Sequence, residues 1–143
     1  MNVTVKIKLF EGGQLPTFKT KGSVCADAYA RLDEDMPIYI GQRKLIPLGF
    51  AAGLPEGYEL QVRPRSGLSS KGVDVTLGTG DFDYVGEYMA CVENNSREDL
   101  VVHKGDRVCQ IAIREVPSVT FEVVESLKET ERGSKGFGST GLR

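Results

Sequence analysis

The spacing of apolar residues constrains this chain most. Almost nothing repeats at three or four residues. Apolar and polar positions instead alternate in short runs closed by Gly, Pro or Asp. Alternation places successive side chains on opposite faces of an extended strand, so the pattern specifies strands with one dry face and one wet face. Such strands are expected over 3–9, 36–40, 43–47, 58–63, 73–77, 88–93, 107–115 and 120–124. The Gly41-Gln42 pair is expected to close a hairpin between the second and third. Gly12-Gly13, Pro55-Glu56-Gly57 and Asn94-Asn95-Ser96 signal loops. One short helix is expected, with Ser66 as its N-cap, 68–71 as its turn and Gly72 as its C′ residue. Many short strands separated by turns make a sandwich or a barrel-like β-fold.

The chain has 143 residues, of which 40% are hydrophobic and 27% charged, which suits one soluble domain able to bury a real core. Its formal net charge of −2 gives no global attraction for nucleic acid or acidic lipid, so an anionic ligand must be held by a local cluster of donors. No apolar run approaches the roughly 18 residues that cross a bilayer. The opening residues, Met1 to Lys6, alternate and lack a secretory h-region. Cys25, Cys91 and Cys109 are odd in number and widely spaced, which reads as reduced, mostly buried thiols of a cytosolic protein. The single histidine, His103, leaves no basis for a Ser-His-Asp site or a histidine-held metal, so a catalytic base here is expected to be a carboxylate.

Four segments carry chemistry. Pro64-Arg65-Ser66-Gly67-Leu68 sets a guanidinium fork and a hydroxyl at the start of the expected helix, where free N–H groups favour phosphate; it also reads as a plain strand-to-helix turn. Residues 78–87, Gly-Thr-Gly-Asp-Phe-Asp-Tyr-Val-Gly-Glu, alternate acids with aromatics between glycines. On strand spacing Asp81 and Asp83 point one way and Phe82 and Tyr84 the other. Asp81 is then either a general base beside a ring that packs on a sugar or base, or an ordinary turn aspartate. Gly105-Asp106-Arg107-Val108-Cys109-Gln110 enters an apolar strand from which Gln110 projects an amide, opposite to Cys109 and Ile111. The last dozen residues are rich in glycine, hydroxyls and basic groups and include Phe137. They read as a flexible tail or as a phosphate cradle.

In this order, these segments resemble the five motifs of the trimeric dUTPase family, from Val24 to Gly141. The first is Val24-Cys25-Ala26-Asp27-Ala28-Tyr29-Ala30, against a usual A-G-x-D-L-x-A. The second is the P-R-S-G-L segment, a full match. The third, 78–87, stands against G-V-I-D-x-D-Y-x-G-E. The fourth, 105–110, is a full match to G-D-R-hydrophobic-x-Q. The fifth, 132–141, stands against R-G-x-G-G-F-G-S-T-G.

The resemblance implies an all-β, distorted jelly-roll (β-clip) subunit over 1–130 with one short helix, and a flexible glycine-rich arm over 131–143 that closes on the nucleotide. It implies a cytoplasmic homotrimer with three active sites shared between subunits. These sites would convert dUTP to dUMP and pyrophosphate with Mg²⁺, with no nucleic-acid or membrane partner. Asp81 would activate the attacking water, with Asp83 as the supporting acid. Tyr84 would pack under the deoxyribose, and the backbone from Gly78 to Tyr84 would read uracil. Arg65, Ser66, Gly67 and Gln110 would hold phosphates. Arg132, Ser139 and Thr140 would reach the outer ones, with Phe137 and Gly138 closing on the base. Asp27 would place the metal-bound triphosphate through water.

The departures from the pattern that bear on the site are Cys25 for glycine, Ala28 for leucine, Gly80 for isoleucine and Lys135 for glycine. Cys25 is expected to change the backbone of its turn, because a side chain resists positive φ. Gly80 is expected to remove an apolar anchor and so loosen Asp81. Lys135 adds charge near the phosphates. Two alternatives stand beside the hydrolase. One is the related dCTP deaminase group, disfavoured by Ser66-Gly67-Leu68-Ser69-Ser70 where that group carries an S-x-x-A type helix. The other is a regulatory module that acts by protein contact.

Overall fold

A computed structural model describes all 143 residues, and it is built almost wholly of antiparallel strands. The strands are β1 (Lys6–Leu9), β2 (Ala26–Tyr29), β3 (Met36–Ile38), β4 (Arg43–Pro47), β5 (Phe50–Gly53) and β6 (Tyr58–Arg63). A single helical turn, α1 (Ser66–Ser69), precedes β7 (Val73–Val75), β8 (Gly78–Gly80), β9 (Met89–Asn94), β10 (Leu100–Val102) and β11 (Arg107–Glu115). They form four small sheets, in the orders β1-β5, β10-β3, β2-β11-β6-β8 and β4-β9-β7. None of its helices is long and apolar enough to cross a membrane.

The expected alternation is visible in the burial. In β9 every second residue, Ala90, Val92 and Asn94, is buried, and in β6 Leu60 and Val62 face inward. The interior packs Phe50, Ile38, Ile46, Leu48, Leu60, Val92 and Cys109 at close to zero exposure. Apolar burial of this kind drives folding, at roughly 25 cal/mol per Å² removed from water. One polar side chain joins the core. Asn94 donates to the carbonyls of Ile38 and Glu98, both at 2.8 Å, and its Oδ1 accepts from the Ser96 N–H and hydroxyl. The expected loop at 94–96 is therefore pinned from within.

Several expectations are corrected. Gly41-Gln42 is a turn, but β3 pairs with β10 and β4 with β9, so no hairpin joins them. Residues 120–124 form no strand; Phe121 and Val123 are exposed with no partner in their own chain. Ser66 is the first residue of α1, and Arg65 is its N-cap without a side-chain capping bond. Gly72 does take the left-handed conformation that ends the turn, at φ +88°. Only Cys109 is buried, whereas Cys25 and Cys91 are half-exposed.

The loop that follows β8 is clamped to the barrel by Glu87. Arg31 donates to both its carboxylate oxygens, at 2.7 and 2.8 Å, and the Gly49 N–H donates at 2.9 Å. Gly49 must lack a side chain, because a Cβ there would lie 2.5 Å from the Gly13 Cα and 3.2 Å from the Arg31 Cβ. The Arg31 guanidinium holds the Glu87 carboxyl below its ordinary value of 4.5 and is itself pushed upward by the pair. A depressed folded-state pKa stabilises the protein above the unfolded value, and that stability disappears as pH falls through the folded one. Glu87→Gln should therefore cost about 1.5–3 kcal/mol at pH 7. In urea titrations, the gap from wild type should narrow well below pH 4.5. An equal gap at pH 7 and pH 3 would contradict the charge-based account.

Candidate active site

Three strands bring the candidate anion-binding residues together. Asp27 on β2 pairs in register with Gln110 on β11, and Gln110 pairs with Arg63 on β6. Chain direction then carries β6 through Pro64 into Arg65, Ser66 and Gly67 at the start of α1. A cavity of about 530 Å³ is lined by Asp27, Arg65, Ser66, Gly67 and Gln110, together with Lys19, Ser23, Cys25 and Arg63. Three basic side chains and one carboxylate give it a positive balance inside a protein of net charge −2.

The side chains around this cavity are held in place. The Arg65 Nη1 donates to the Arg107 carbonyl at 2.8 Å, and its Nε lies 3.6 Å from the Asp27 carboxylate. Arg107 flanks the other oxygen of Asp27, also at 3.6 Å. Asp27 thus orients two guanidinium groups. The Gln110 Nε2 donates to the Pro64 carbonyl at 2.9 Å, which leaves its Oε1 free to accept. Within α1 the backbone bonds start from the N–H groups of Leu68 and Ser69, so those of Ser66 and Gly67 lie ahead of the bonded turn. Ser66 opens the turn rather than capping it, and it lines the same cavity.

The second group gathers on the neighbouring strand. Gly78 on β8 pairs with Val62 on β6, one position from Arg63. A cavity of about 360 Å³ is lined by Gly78, Thr79, Asp81, Tyr84, Glu87 and Tyr88, with Leu45, Val62 and Met89. Asp81 and Tyr84 share this cavity, contrary to the opposite directions expected from strand spacing. The reason is local: the Tyr84 N–H donates to the Asp81 carbonyl at 3.1 Å, so 81–84 is a tight turn to which a period of two does not apply. Asp83 instead lines an adjoining cleft with Glu56, Glu59, Asp81 and Phe82. The Tyr84 hydroxyl donates to the Glu87 carbonyl at 2.8 Å, which fixes the ring edge-on to Tyr88 with centroids 5.2 Å apart.

Gly80 is expected to remove an apolar anchor beside Asp81, and another side chain fills that place. Its missing side chain is replaced by Tyr88, whose hydroxyl occupies the place a Cβ would take and whose Cζ lies 2.7 Å from that position. Tyr88 is buried and stacked on Phe50, with centroids 5.5 Å apart. Read only as an inward position of a strand, Tyr88 gave no sign of a place in the site. Gly80 was the available signal, since a glycine inside a strand often marks a close approach.

The remaining candidates lie elsewhere. Arg132, Phe137, Gly138, Ser139 and Thr140 line neither cavity, and the recorded bonds of 131–143 stay within that stretch and with Thr130, such as Arg132 Nε to the Lys135 carbonyl at 2.9 Å. Phe137 is fully exposed at a positive φ of 51°. The Cys109 thiol is pushed up to about 12 by burial, which leaves it neutral and unreactive. His103 is exposed and pairs with Asp35 at 2.9 Å, which raises its pKa. No group of three or more His, Cys, Asp or Glu side chains converges to hold a metal ion.

The site now stands beside known proteins. The dUTPase family model matches residues 11–141. A deoxyuridine 5′-triphosphate nucleotidohydrolase of Maricaulis maris is 44% identical, covering 99% of this chain and 98% of its own length. That of Chlamydia pneumoniae is 46% identical, covering 97% and 99%. Among solved structures, the dUTPase of Staphylococcus bacteriophage 80alpha, a G164S mutant with dUpNHpp, superposes with a TM-score of 0.85 at 24% identity, over 97% of this chain and 99% of that one. A D95N mutant dUTPase from the S. aureus phage phi11, described with a structural Mg(II) ion, superposes with a TM-score of 0.79 at 21% identity, over 86% and 97%. These likenesses fix the fold as the dUTPase jelly-roll.

Proposed function

The chain belongs to the dUTPase family, and from that premise we propose that it hydrolyses dUTP to dUMP and pyrophosphate with the two cavities serving as the two halves of its site. The observation that carries this reading is the division of labour between them. One holds a carboxylate beside an aromatic ring and backbone edges; the other holds fixed guanidinium, hydroxyl and amide groups.

In the first half, the backbone from Gly78 to Tyr84 reads the uracil and Tyr84 packs under the deoxyribose, where a ribose 2′-hydroxyl would clash. Asp81 takes the proton of the water that attacks the α-phosphorus in line, and pyrophosphate leaves. In the second half, Arg65, Ser66, Gly67 and Gln110 hold phosphate oxygens through charge-assisted hydrogen bonds. The tail supplies Arg132, Ser139 and Thr140 to the outer phosphates and closes Phe137 and Gly138 over the base, which shuts out bulk water. A triphosphate of about four negative charges is then met by local cations rather than by the protein's overall field.

Magnesium fits this arrangement. The ion keeps several waters and takes one or two carboxylates plus substrate phosphates, and Asp27 is the single carboxylate lining the basic cavity. With its oxygens engaged by two arginines, Asp27 would reach the ion through water. When bound, Mg²⁺ would neutralise phosphate charge.

The two cavities share no lining residue, and the reading adds a partner subunit to complete each site. In this reading the chain forms a homotrimer in which cavities of neighbouring copies face each other. The exposed apolar residues Val119, Phe121, Val123 and Leu127 give the C-terminal segment a reason to lie on a neighbour. Such an enzyme keeps uracil out of DNA and supplies dUMP for thymidylate synthesis.

The decisive experiment is pyrophosphate release with Mg²⁺ from dUTP, dTTP, dCTP and UTP. Turnover of dUTP should exceed the others by roughly 10³-fold or more, because a pocket that pairs polar edges and excludes a hydroxyl rejects mismatches strongly. Ammonia release from dCTP would replace the hydrolase by a deaminase.

A further inference from the structure

Tyr88 carries a group that nothing in the reaction described so far uses. The side chain is 5% exposed, and its hydroxyl is buried with no hydrogen-bond partner. It is the one buried side-chain polar atom left in that state. Buried hydroxyls are nearly always satisfied, so an orphan asks for an explanation. This one lies at the back of the nucleoside cavity, against the backbone of Gly80, the residue immediately before Asp81. Phe50 stacks on one face of its ring and Tyr84 meets it edge-on, so the phenol has little freedom to turn away. The group stays protonated at neutral pH, since burial, with Tyr84 and Asp81 nearby, pushes its pKa up to about 12. It is therefore a fixed donor in want of an acceptor.

We propose that Tyr88 is a positioning residue for Asp81: its hydroxyl donates to the Asp81 carboxylate when nucleotide fills the cavity. The argument rests on the reading of Asp81 as the base. Gly80 makes the approach possible, because any side chain at that position would displace the phenol. In the free subunit Tyr84 is tied to the Glu87 carbonyl, and Asp81 stands exposed at the cavity mouth. Once a sugar packs on Tyr84 and water is expelled, the carboxylate loses solvent donors, and the phenol is an unpartnered donor lining the same cavity. A hydrogen bond to an ionised group is among the stronger ones, and it orients the oxygen that receives the proton.

The test is Tyr88→Phe in the full-length protein, assayed with dUTP and Mg²⁺ and melted without ligand. The ring is kept and one oxygen is removed. The expected result is a kcat about 10-fold to 100-fold lower, with KM changed by less than about twofold and the melting temperature of the free protein unchanged or higher, because an orphan hydroxyl stabilises nothing. A wild-type kcat would overturn the inference. So would a lower melting temperature, which would show that the hydroxyl already has a partner in the free protein. Assaying Asp81→Asn alongside separates the two ideas. If that variant turns over normally, the base assignment has failed; if it is inactive while Tyr88→Phe is unaffected, only the role of Tyr88 has failed.

Discussion

Replacing Asp81 by asparagine is expected to lower kcat by about 10³-fold to 10⁴-fold, the upper range for losing a general base. The substitution keeps size and hydrogen-bonding shape but removes the proton acceptor. Because Asp81 is exposed at the mouth of the nucleoside cavity, the change should leave folding and nucleotide affinity nearly intact. Calorimetric titration with a non-hydrolysable dUTP analogue, beside pyrophosphate release with dUTP, measures both. Turnover within tenfold of wild type would remove Asp81 from the role. Asp83 is the other acid of the loop, but it lines the adjoining cleft rather than the cavity shared with Tyr84. Strand spacing alone gave the two acids one direction. In the tight turn at 81–84 both line the adjoining cleft, and only Asp81 also lines the cavity of Tyr84.

Deleting residues 131–143 should lower kcat/KM by about 10²-fold or more while leaving a folded trimer. The expected loss follows from positioning: removing groups that fix the outer phosphates and exclude water costs orders of magnitude even when the base is intact. The expected survival of the fold follows from packing. The core draws on nothing beyond Ile113, and the recorded hydrogen bonds of the tail reach no further into the chain than Thr130. Turnover assays paired with light scattering decide it. Full activity in the truncated chain would remove the tail from the site, and a monomer would show that it has an assembly role.

Where the sequence was legible, large apolar residues within clear bounds were the reason. The bounds of β4, β6 and β11 match the expected 43–47, 58–63 and 107–115: β6 alternates strictly, and the other two carry short apolar runs bounded by charged residues or proline. The strands β2, β5, β8 and β10 escaped notice. Ala26-Asp27-Ala28-Tyr29, Phe50-Ala51-Ala52-Gly53 and Gly78-Thr79-Gly80 lean on alanine and glycine, whose small apolar surface leaves the period faint. The false hairpin at 41–42 has a different cause. A turn is a local property, but which strand pairs with which is decided by distant partners, here β9 and β10. The segment 120–124 shows the converse, a strand pattern with no partner in its own chain. The candidate residues were named from motif order, whereas the grouping of Arg65, Ser66, Gly67 and Gln110 in one cavity and Gly78, Asp81 and Tyr84 in another was not legible, because it depends on how strands far apart in sequence come to adjoin.

The contact between Gly80 and Tyr88 also sets the order in which these two positions can change. While Tyr88 stands, no residue but glycine fits at 80, since any Cβ meets the phenol. While Gly80 stands, a small residue at 88 leaves a hole behind the turn at 81–84, with the cost that cavities carry. The favourable pairs are therefore glycine with tyrosine, or a branched side chain at 80 with a smaller one at 88. The single steps between them are each penalised. Substitutions at either position would then be misjudged if scored alone, and the sign of an isoleucine at 80 would depend on what already occupies 88.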